Sequence, residues 1–174
     1  LLNHEQIQLT ITRLAKQVLE KHHFSEDSVL IGLQSRGVAF AKYLLAEINS
    51  LTDYEVQYGE LDITFYRDDF RTRNTPLNAN ETNINFTLED KKVVLIDDVL
   101  FTGRSVRSAL DALLDYGRPK DVEFLTLIDR RFKREFPIQA DYVGRSVDSI
   151  KSERVSVEWN PKEGHVVKLY SGEN

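Results

Sequence analysis

An apolar run ending in two adjacent carboxylates constrains this chain more than any other feature. It reads Val93-Val94-Leu95-Ile96-Asp97-Asp98 and continues Val99-Leu100-Phe101-Thr102-Gly103-Arg104-Ser105. Such an unbroken apolar stretch suits a strand covered on both faces, as the strands of a parallel sheet are. Open parallel sheets bind ligands beyond the carboxyl ends of their strands, which is where Asp97 and Asp98 stand. The Thr-Gly-x-Ser turn then opens a helix. Free backbone N–H groups, two hydroxyls and the positive helix end converge there and make a phosphate cradle. Carboxylates are poor partners for phosphate but good ones for sugar hydroxyls or a divalent ion. The combination asks for a ligand that is part phosphate and part polyol, such as a phosphorylated ribose. An Asp pair alone also suits metal-dependent phosphoryl transfer or a plain surface turn, and the turn from Thr102 to Ser105 is what favours the sugar phosphate. The chain has no Gly-x-x-x-x-Gly-Lys-Ser/Thr loop and no G-x-G-x-x-G fingerprint.

Around this run, helices and strands alternate. Ile7, Ile11, Leu14 and Val18 recur at helical spacing and predict an amphipathic helix from Glu5 to Lys21. Val29 to Leu33 reads as a buried strand, broken by Gln34-Ser35-Arg36-Gly37, with a second helix from Val38 to Ile48. Val56 to Tyr66 alternates as a strand, with Gly59 as a bulge. Arg67 to Phe86 is polar and aperiodic, a loop of the length that serves as a lid or binding segment. Then come a strand from Lys91 to Ile96, a helix from Ser105 to Tyr116 ended by Gly117 and Pro119, and a third buried strand from Val122 to Ile128. Short β-like runs follow at Asp141–Val143, Val155–Trp159 and Val166–Tyr170. The pattern predicts an α/β fold with a parallel sheet and a hairpin-like C-terminal appendage. His4, His22, His23 and His165 have no local partner in the sequence and are expected at the surface.

Composition narrows the chemistry. With 41% hydrophobic and 29% charged residues, the 174-residue chain is expected to form one soluble, cytoplasmic domain over 1–174. Zero Cys excludes disulfides, thiolate zinc sites and cysteine nucleophiles, and zero Met, initiator included, reads as a trimmed start. No apolar run approaches membrane-spanning length, so no membrane partner is expected. Residues 1–90 carry 8 basic and 14 acidic side chains and residues 91–174 carry 15 and 14, so an anionic partner sits more comfortably on the second half. The net charge of −5 argues against a uniformly basic nucleic-acid-binding surface.

The run from Val93 to Ser105 closely resembles the phosphoribosyl diphosphate signature of the type I phosphoribosyltransferases. Gly32-Leu33-Gln34-Ser35-Arg36-Gly37 resembles their pyrophosphate loop, and Gly59 to Asp69 heads a long loop as their mobile lid does. Within that class the chain is most similar to the PyrR family, bifunctional pyrimidine operon attenuators that are also uracil phosphoribosyltransferases. The similarity is carried by Asp62-Ile63-Thr64-Phe65-Tyr66-Arg67-Asp68-Asp69, Asp115-Tyr116-Gly117-Arg118-Pro119, Ile128-Asp129-Arg130, Pro137 to Gly144 and Lys151-Ser152-Glu153. It implies the type I fold: a central, mainly parallel sheet flanked by helices, with a small hood and a long mobile loop at about 67–86.

The resemblance also implies a reaction, uracil plus phosphoribosyl diphosphate giving UMP plus diphosphate, with Mg²⁺. On that reading Asp97 and Asp98 hold the ribose hydroxyls and, mostly indirectly, the metal. Val99 to Phe101 and Thr102, Gly103, Arg104 and Ser105 take the substrate and its phosphate, and Ser35, Arg36 and Gly37 take the diphosphate. Arg67 closes over the same group, and Val99-Leu100-Phe101 with Asp129 and Arg130 frame the base. A phosphoribosyltransferase for a purine or xanthine is the alternative, because 130–136 departs from the family pattern. The relatives also bind an mRNA leader and form dimers or larger homo-oligomers. Thr12, Arg13, Lys16 and Arg145 stand at the corresponding RNA positions, with Lys16 where His is usual and Gln139 where Arg is usual. The cluster Arg130-Arg131-Phe132-Lys133-Arg134 suits either stacking and phosphate contact or a solvated loop neutralised by Asp129 and Glu135.

Overall fold

A computed structural model describes residues 1–22, 27–68, 79, 81–132 and 134–171. Five strands form one all-parallel sheet: β1 (Ser28–Leu33), β2 (Gln57–Leu61), β3 (Lys92–Leu100), β4 (Asp121–Arg131) and β5 (Tyr142–Asp148), in the order β2-β1-β3-β4-β5. Alternate residues of the central strands face opposite ways. Leu30, Val94, Ile96, Leu125 and Leu127 enter one core with α1 (His4–Lys21) and α2 (Arg36–Leu51). Val29, Ile31, Leu33, Val93 and Leu95 enter a second core under α3 (Arg104–Leu113). This two-sided covering is why those strands read as unbroken apolar runs. An antiparallel hairpin, β6 (Arg154–Glu158) and β7 (Val166–Tyr170), adds Val155, Val157 and Val167 to the first core.

Local chemistry explains where helices begin. Asn3 caps α1 reciprocally: its side chain accepts from the Gln6 N–H at 2.9 Å, and the Gln6 side chain accepts from the Asn3 N–H at 3.0 Å. The helix therefore starts at His4, just before the expected Glu5. α3 stops at Leu113 and tightens into a 3₁₀ turn over Leu114–Tyr116 before Gly117.

Several expectations are corrected. β3 extends beyond Ile96 to Leu100, and β4 beyond Ile128 to Arg131, because both continue to pair with their neighbours. The run at 141–143 is the start of β5, a full member of the main sheet. β2 ends at Leu61, and Gly59 makes no bulge, since β1 and β2 stay in register from Gln57 through Leu61. Gly59 instead makes room for the returning chain: a Cβ there would sit 3.1 Å from the Asn83 carbonyl oxygen, beside the Glu60–Asn83 bridge. Of the long loop, residues 69–78 and 80 lie outside the described residues.

Two of the four histidines are buried rather than at the surface. The His22 Nε2 lies 2.7 Å from Glu123 Oε2, and its Nδ1 lies 3.2 Å from Ser28 Oγ. His165 packs against the rings of His4, Tyr43 and Trp159, and its N–H donates to His4 Nδ1 at 3.1 Å. Glu123, for His22, and His4 and Tyr43, for His165, come from distant parts of the chain, which local sequence does not show. His4 is exposed as expected, and His23 lies outside the described residues.

Candidate active site

The sheet order reverses between β1 and β3: the chain leaves β1 toward β2 and leaves β3 toward β4. Diverging connections open a crevice beyond the carboxyl ends of those two strands. The turn after β1 forms one wall. The Gln34 N–H donates to the Leu61 carbonyl at 2.9 Å, and its side-chain amide donates to Glu60 Oε2 at 3.0 Å. The Gln34–Ser35 peptide is cis. In the first turn of α2, Gly37 lies so close to β3 that a Cβ would fall 2.7 Å from the Ile96 oxygen and 3.0 Å from the Asp97 Cα.

The turn after β3 forms the facing wall. Gly103 adopts φ +87°, a left-handed conformation that suits glycine, and leads into α3. No side chain caps α3; the Arg104 N–H reaches only Thr102 Oγ1, at 3.4 Å. The first-turn amides and the positive helix end are thus left to a ligand. A cavity of 180 Å³ lies there, lined by Thr102, Gly103, Ser105 and Val106 together with Asp97, Val99, Leu100 and Phe101. It adjoins a cleft of 340 Å³ through Asp97, Val99, Phe101 and Ser105.

Asp98 is buried and Asp97 half-buried, and the Asp98 N–H donates to Asp97 Oδ1 at 2.9 Å. Burial, and then the neighbouring charge of Asp98, holds the Asp97 carboxyl well above the usual carboxylate range. Burial raises Asp98 as well, against the pull of the Arg36 guanidinium. Asp98 Oδ2 is buried with no hydrogen-bond partner among the described residues. A buried carboxylate oxygen left unpaired costs free energy that a cation or a ligand hydroxyl would recover. The described residues contain no cluster of three or more His, Asp or Glu suited to a metal. Two adjacent carboxylates, one with an unpartnered oxygen, fit an ion of the Mg²⁺ kind, which would be held by one or two carboxylates together with ligand phosphates and water.

Most sequence-predicted residues converge here. Ser35, Arg36, Arg67, Asp97, Asp98 and Arg130 all line the larger cleft, with Val99, Phe101 and Ser105. Arg36 makes no ion pair among the described residues. Gly37 acts through its close approach to Asp97 rather than as lining. Arg104 contributes backbone only, because its side chain pairs with Asp68 and with Glu135, the latter at 2.6 Å. Asp129 lines neither cavity and pairs with Arg134.

Three arginines of the 130–134 cluster are engaged within the chain, Arg130 and Arg134 inward and Arg131 at the surface. Arg130 stacks on Phe101, Arg131 pairs with Asp148 at 2.6 Å, and Arg134 bonds to Asp129 and to the carbonyls of Phe101, Arg130 and Ile138. Glu135 is taken by Arg104, so the neutralising partners are Asp129 and Asp148 rather than Asp129 and Glu135. Phe132 is exposed, and Lys133 lies outside the described residues. Sequence reading assigned no site role to Ile63 and Val155, nor to Leu33 and Gln34 within the loop that resembles the pyrophosphate loop, and all four line the cleft. Val155 arrives on β6 from a distant part of the chain, and no local signal marks it. A further cavity of 530 Å³ lies on the hairpin, lined by Ser152, Arg154, Ser156, Tyr170 and Ser171, and contains none of the predicted residues.

Thr12, Arg13 and Lys16 lie on α1 and Arg145 on β5, two elements that pack together. Arg13 donates to the Gly144 carbonyl at 2.6 Å, Arg145 donates to the Leu1 carbonyl at 2.8 Å, and Lys16 is exposed. The Thr12 hydroxyl donates to Glu47 Oε1 at 2.8 Å. Gln139 is exposed.

A parallel sheet with a carboxylate pair and an uncapped helix at its switch point suits a phosphoribosyltransferase, and residues 1–162 match the phosphoribosyl transferase domain family. A hypoxanthine phosphoribosyltransferase from Staphylococcus aureus shares the fold at TM-score 0.68 and 23% identity, covering 86% of this chain and 78% of that one. The enzyme from Trypanosoma cruzi does so at TM-score 0.69 and 18% identity, covering 86% and 77%. At that level of identity these two speak for the fold alone. Bifunctional protein PyrR of Clostridium novyi is 44% identical over 158 residues, covering 90% of this chain and 88% of that protein. Its counterpart in Deinococcus radiodurans is 40% identical over 175 residues, covering 100% and 95%. The chain belongs to the PyrR family of phosphoribosyltransferases.

Proposed function

We propose that this chain transfers the phosphoribosyl group of phosphoribosyl diphosphate to uracil. A bond forms between uracil N1 and C1 of the ribose, the bond from C1 to the diphosphate oxygen breaks, and the N1 proton is released. The observation that carries this reading is the juxtaposition of Asp97 and Asp98 with the uncapped start of α3 on one side and Arg36 on the other. The amides of the first turn of α3 and the Thr102 and Ser105 hydroxyls take the ribose phosphate. The Asp pair accepts hydrogen bonds from the ribose hydroxyls, which gives Asp98 Oδ2 the partner it lacks. Ser35 and Arg36 meet the diphosphate, and Arg67, at the start of the lid, adds a second guanidinium to the same cleft. Mg²⁺ bound with the substrate supplies neutralisation of the departing diphosphate. An electron-poor sugar carbon calls for positioning and fixed charge, and the cleft offers both without a nucleophile of its own.

Uracil as the base is supported by the 40–45% identity to the PyrR proteins and by the motifs shared with that family. Assay with labelled phosphoribosyl diphosphate and a panel of uracil, hypoxanthine, guanine and xanthine tests it. Transfer to uracil alone is expected, and transfer only to a purine contradicts it.

A second role, binding of a pyrimidine-operon mRNA leader in response to UMP, is favoured by one observation. Arg13 on α1 bonds to the carbonyls of Val143 and Gly144 on β5, next to Arg145, and neither arginine has an ion pair among the described residues. Binding that weakens steeply with salt and tightens with UMP is expected, whereas salt-independent binding, or none, contradicts it.

A further inference from the structure

On the phosphoribosyltransferase reading, the apolar lining that would meet the base comes from segments far apart in sequence. Phe101 follows β3, and Val155 lies in β6; both line the 340 Å³ cleft. A planar base needs such walls at a fixed separation, because stacking and dispersion fall away with small gaps. One side chain touches the supports of both. The Arg130 guanidinium carbon lies 3.7 Å from the centroid of the Phe101 ring. Its Nε donates to Ser149 Oγ at 2.8 Å, and its second terminal nitrogen donates to the carbonyls of Ile150 at 3.1 Å and Glu153 at 2.8 Å. Residues 149–153 lead directly into β6 and Val155.

We propose that Arg130 is a positioning residue, a clamp that joins Phe101 to the base of the hairpin and thereby sets the width of the base pocket. This rests on the phosphoribosyltransferase reading but not on which base is used. The chemistry needs arginine. A guanidinium can stack by its face while donating from its edge, and an ammonium cannot do both. Only 5% of Arg130 is exposed, so its desolvation must be offset, and three directed hydrogen bonds with one aromatic face do so. The carbonyls it meets are already in place. The Glu153 carboxylate accepts from the Ile150 N–H at 2.8 Å, and the Glu153 N–H donates to the Ile150 carbonyl at 3.2 Å.

The test compares Arg130→Lys and Ser149→Ala with the unaltered chain. Readouts are binding of ribose 5-phosphate, binding of a panel of nucleoside monophosphates, the KM values for base and for phosphoribosyl diphosphate, kcat, and Tm. Arg130→Lys is expected to raise the KM for the base, and to weaken the preferred nucleotide, by about tenfold, with ribose 5-phosphate binding unchanged. Ser149→Ala, which touches no ligand, is expected to move the same two quantities in the same direction by less. An unchanged base KM in Arg130→Lys overturns the proposal. So does equal weakening of ribose 5-phosphate and nucleotide, which marks general loosening. Collapse of kcat in Arg130→Lys with no effect of Ser149→Ala also overturns it, because it marks direct contact with the base. If the panel shows a base other than uracil, the uracil assignment fails, and the ratio of nucleotide to ribose 5-phosphate binding still tests the clamp.

Discussion

Asp98 carries a buried oxygen with no partner and a carboxyl raised by burial, and both conditions cost folding free energy. A site that keeps such a group is organised for a ligand rather than for stability. Asp98→Asn should lower kcat/KM by about 10²-fold or more while leaving Tm unchanged or slightly higher, because a neutral amide relieves the buried charge. Activity assays and thermal melts on the same preparation check both halves. Gly37→Ala works differently: the added methyl meets the Ile96 oxygen at 2.7 Å and must push α2 away from β3. A loss of about 1–3 kcal/mol in stability is expected by denaturant titration, with weaker binding of phosphoribosyl diphosphate. At this scale the sequence was most legible where one continuous stretch holds the chemistry. Val93 to Ser105 contains strand, acid pair and cradle together, and those residues converge in the structure. Val155 and the stacking of Arg130 on Phe101 arise only when distant segments meet, so no spacing in the chain announces them.

At the scale of elements, the end of the sheet opposite the crevice is tied by Glu123 at the start of β4. Its carboxylate accepts from Tyr142 Oη at 2.6 Å, lies 2.7 Å from His22 Nε2, and pairs with Lys21. Burial alone pushes this carboxyl up, but the bonds from Lys21, Tyr142 and His22 outweigh it and bring it down to about 2. A carboxyl lowered in the folded state stabilises the fold above its unfolded value and loses that contribution as pH falls through the folded one. Stability should therefore drop between about pH 4.5 and 2, by an amount on the order of 2 kcal/mol from this group. Glu123→Gln should flatten Tm against pH across that window; an unchanged acid slope contradicts the assignment. The apolar periods gave away α1, α2 and the three central strands, because each of those elements buries a regular stripe or run. They could not reveal that the end of α1 lands against β4, with His22 and Glu123 101 positions apart, so His22 read as a surface residue. Strand ends were misjudged for a related reason: β3 and β4 run on past their apolar stretches because ladder pairing with neighbours, not hydrophobicity, holds their last residues.

For the whole molecule, the strand order places the crevice beyond the carboxyl ends of the inner strands β1 and β3, and the N-terminus is stitched to the hairpin by the Leu2–Val167 bridge. Thr12, Arg13, Lys16 and Arg145 line neither crevice cavity, so a substitution among them is expected to spare transfer. Arg145→Ala should leave transfer intact and lower the slope of log K against log salt for leader RNA by about 1. The net charge of −5 then bears less on RNA than the local grouping of Arg13, Lys16 and Arg145 does. No helix among the described residues is long and apolar enough to cross a membrane. The central claim is that the Asp97–Asp98 crevice transfers phosphoribose to uracil. Its most direct test is nucleotide formation from labelled phosphoribosyl diphosphate, with each base in turn, by the unaltered chain and by Asp97→Asn/Asp98→Asn. UMP and diphosphate from the unaltered chain, and neither from the double variant, is the predicted result. No transfer to uracil by the unaltered chain, or undiminished transfer by the double variant, contradicts it.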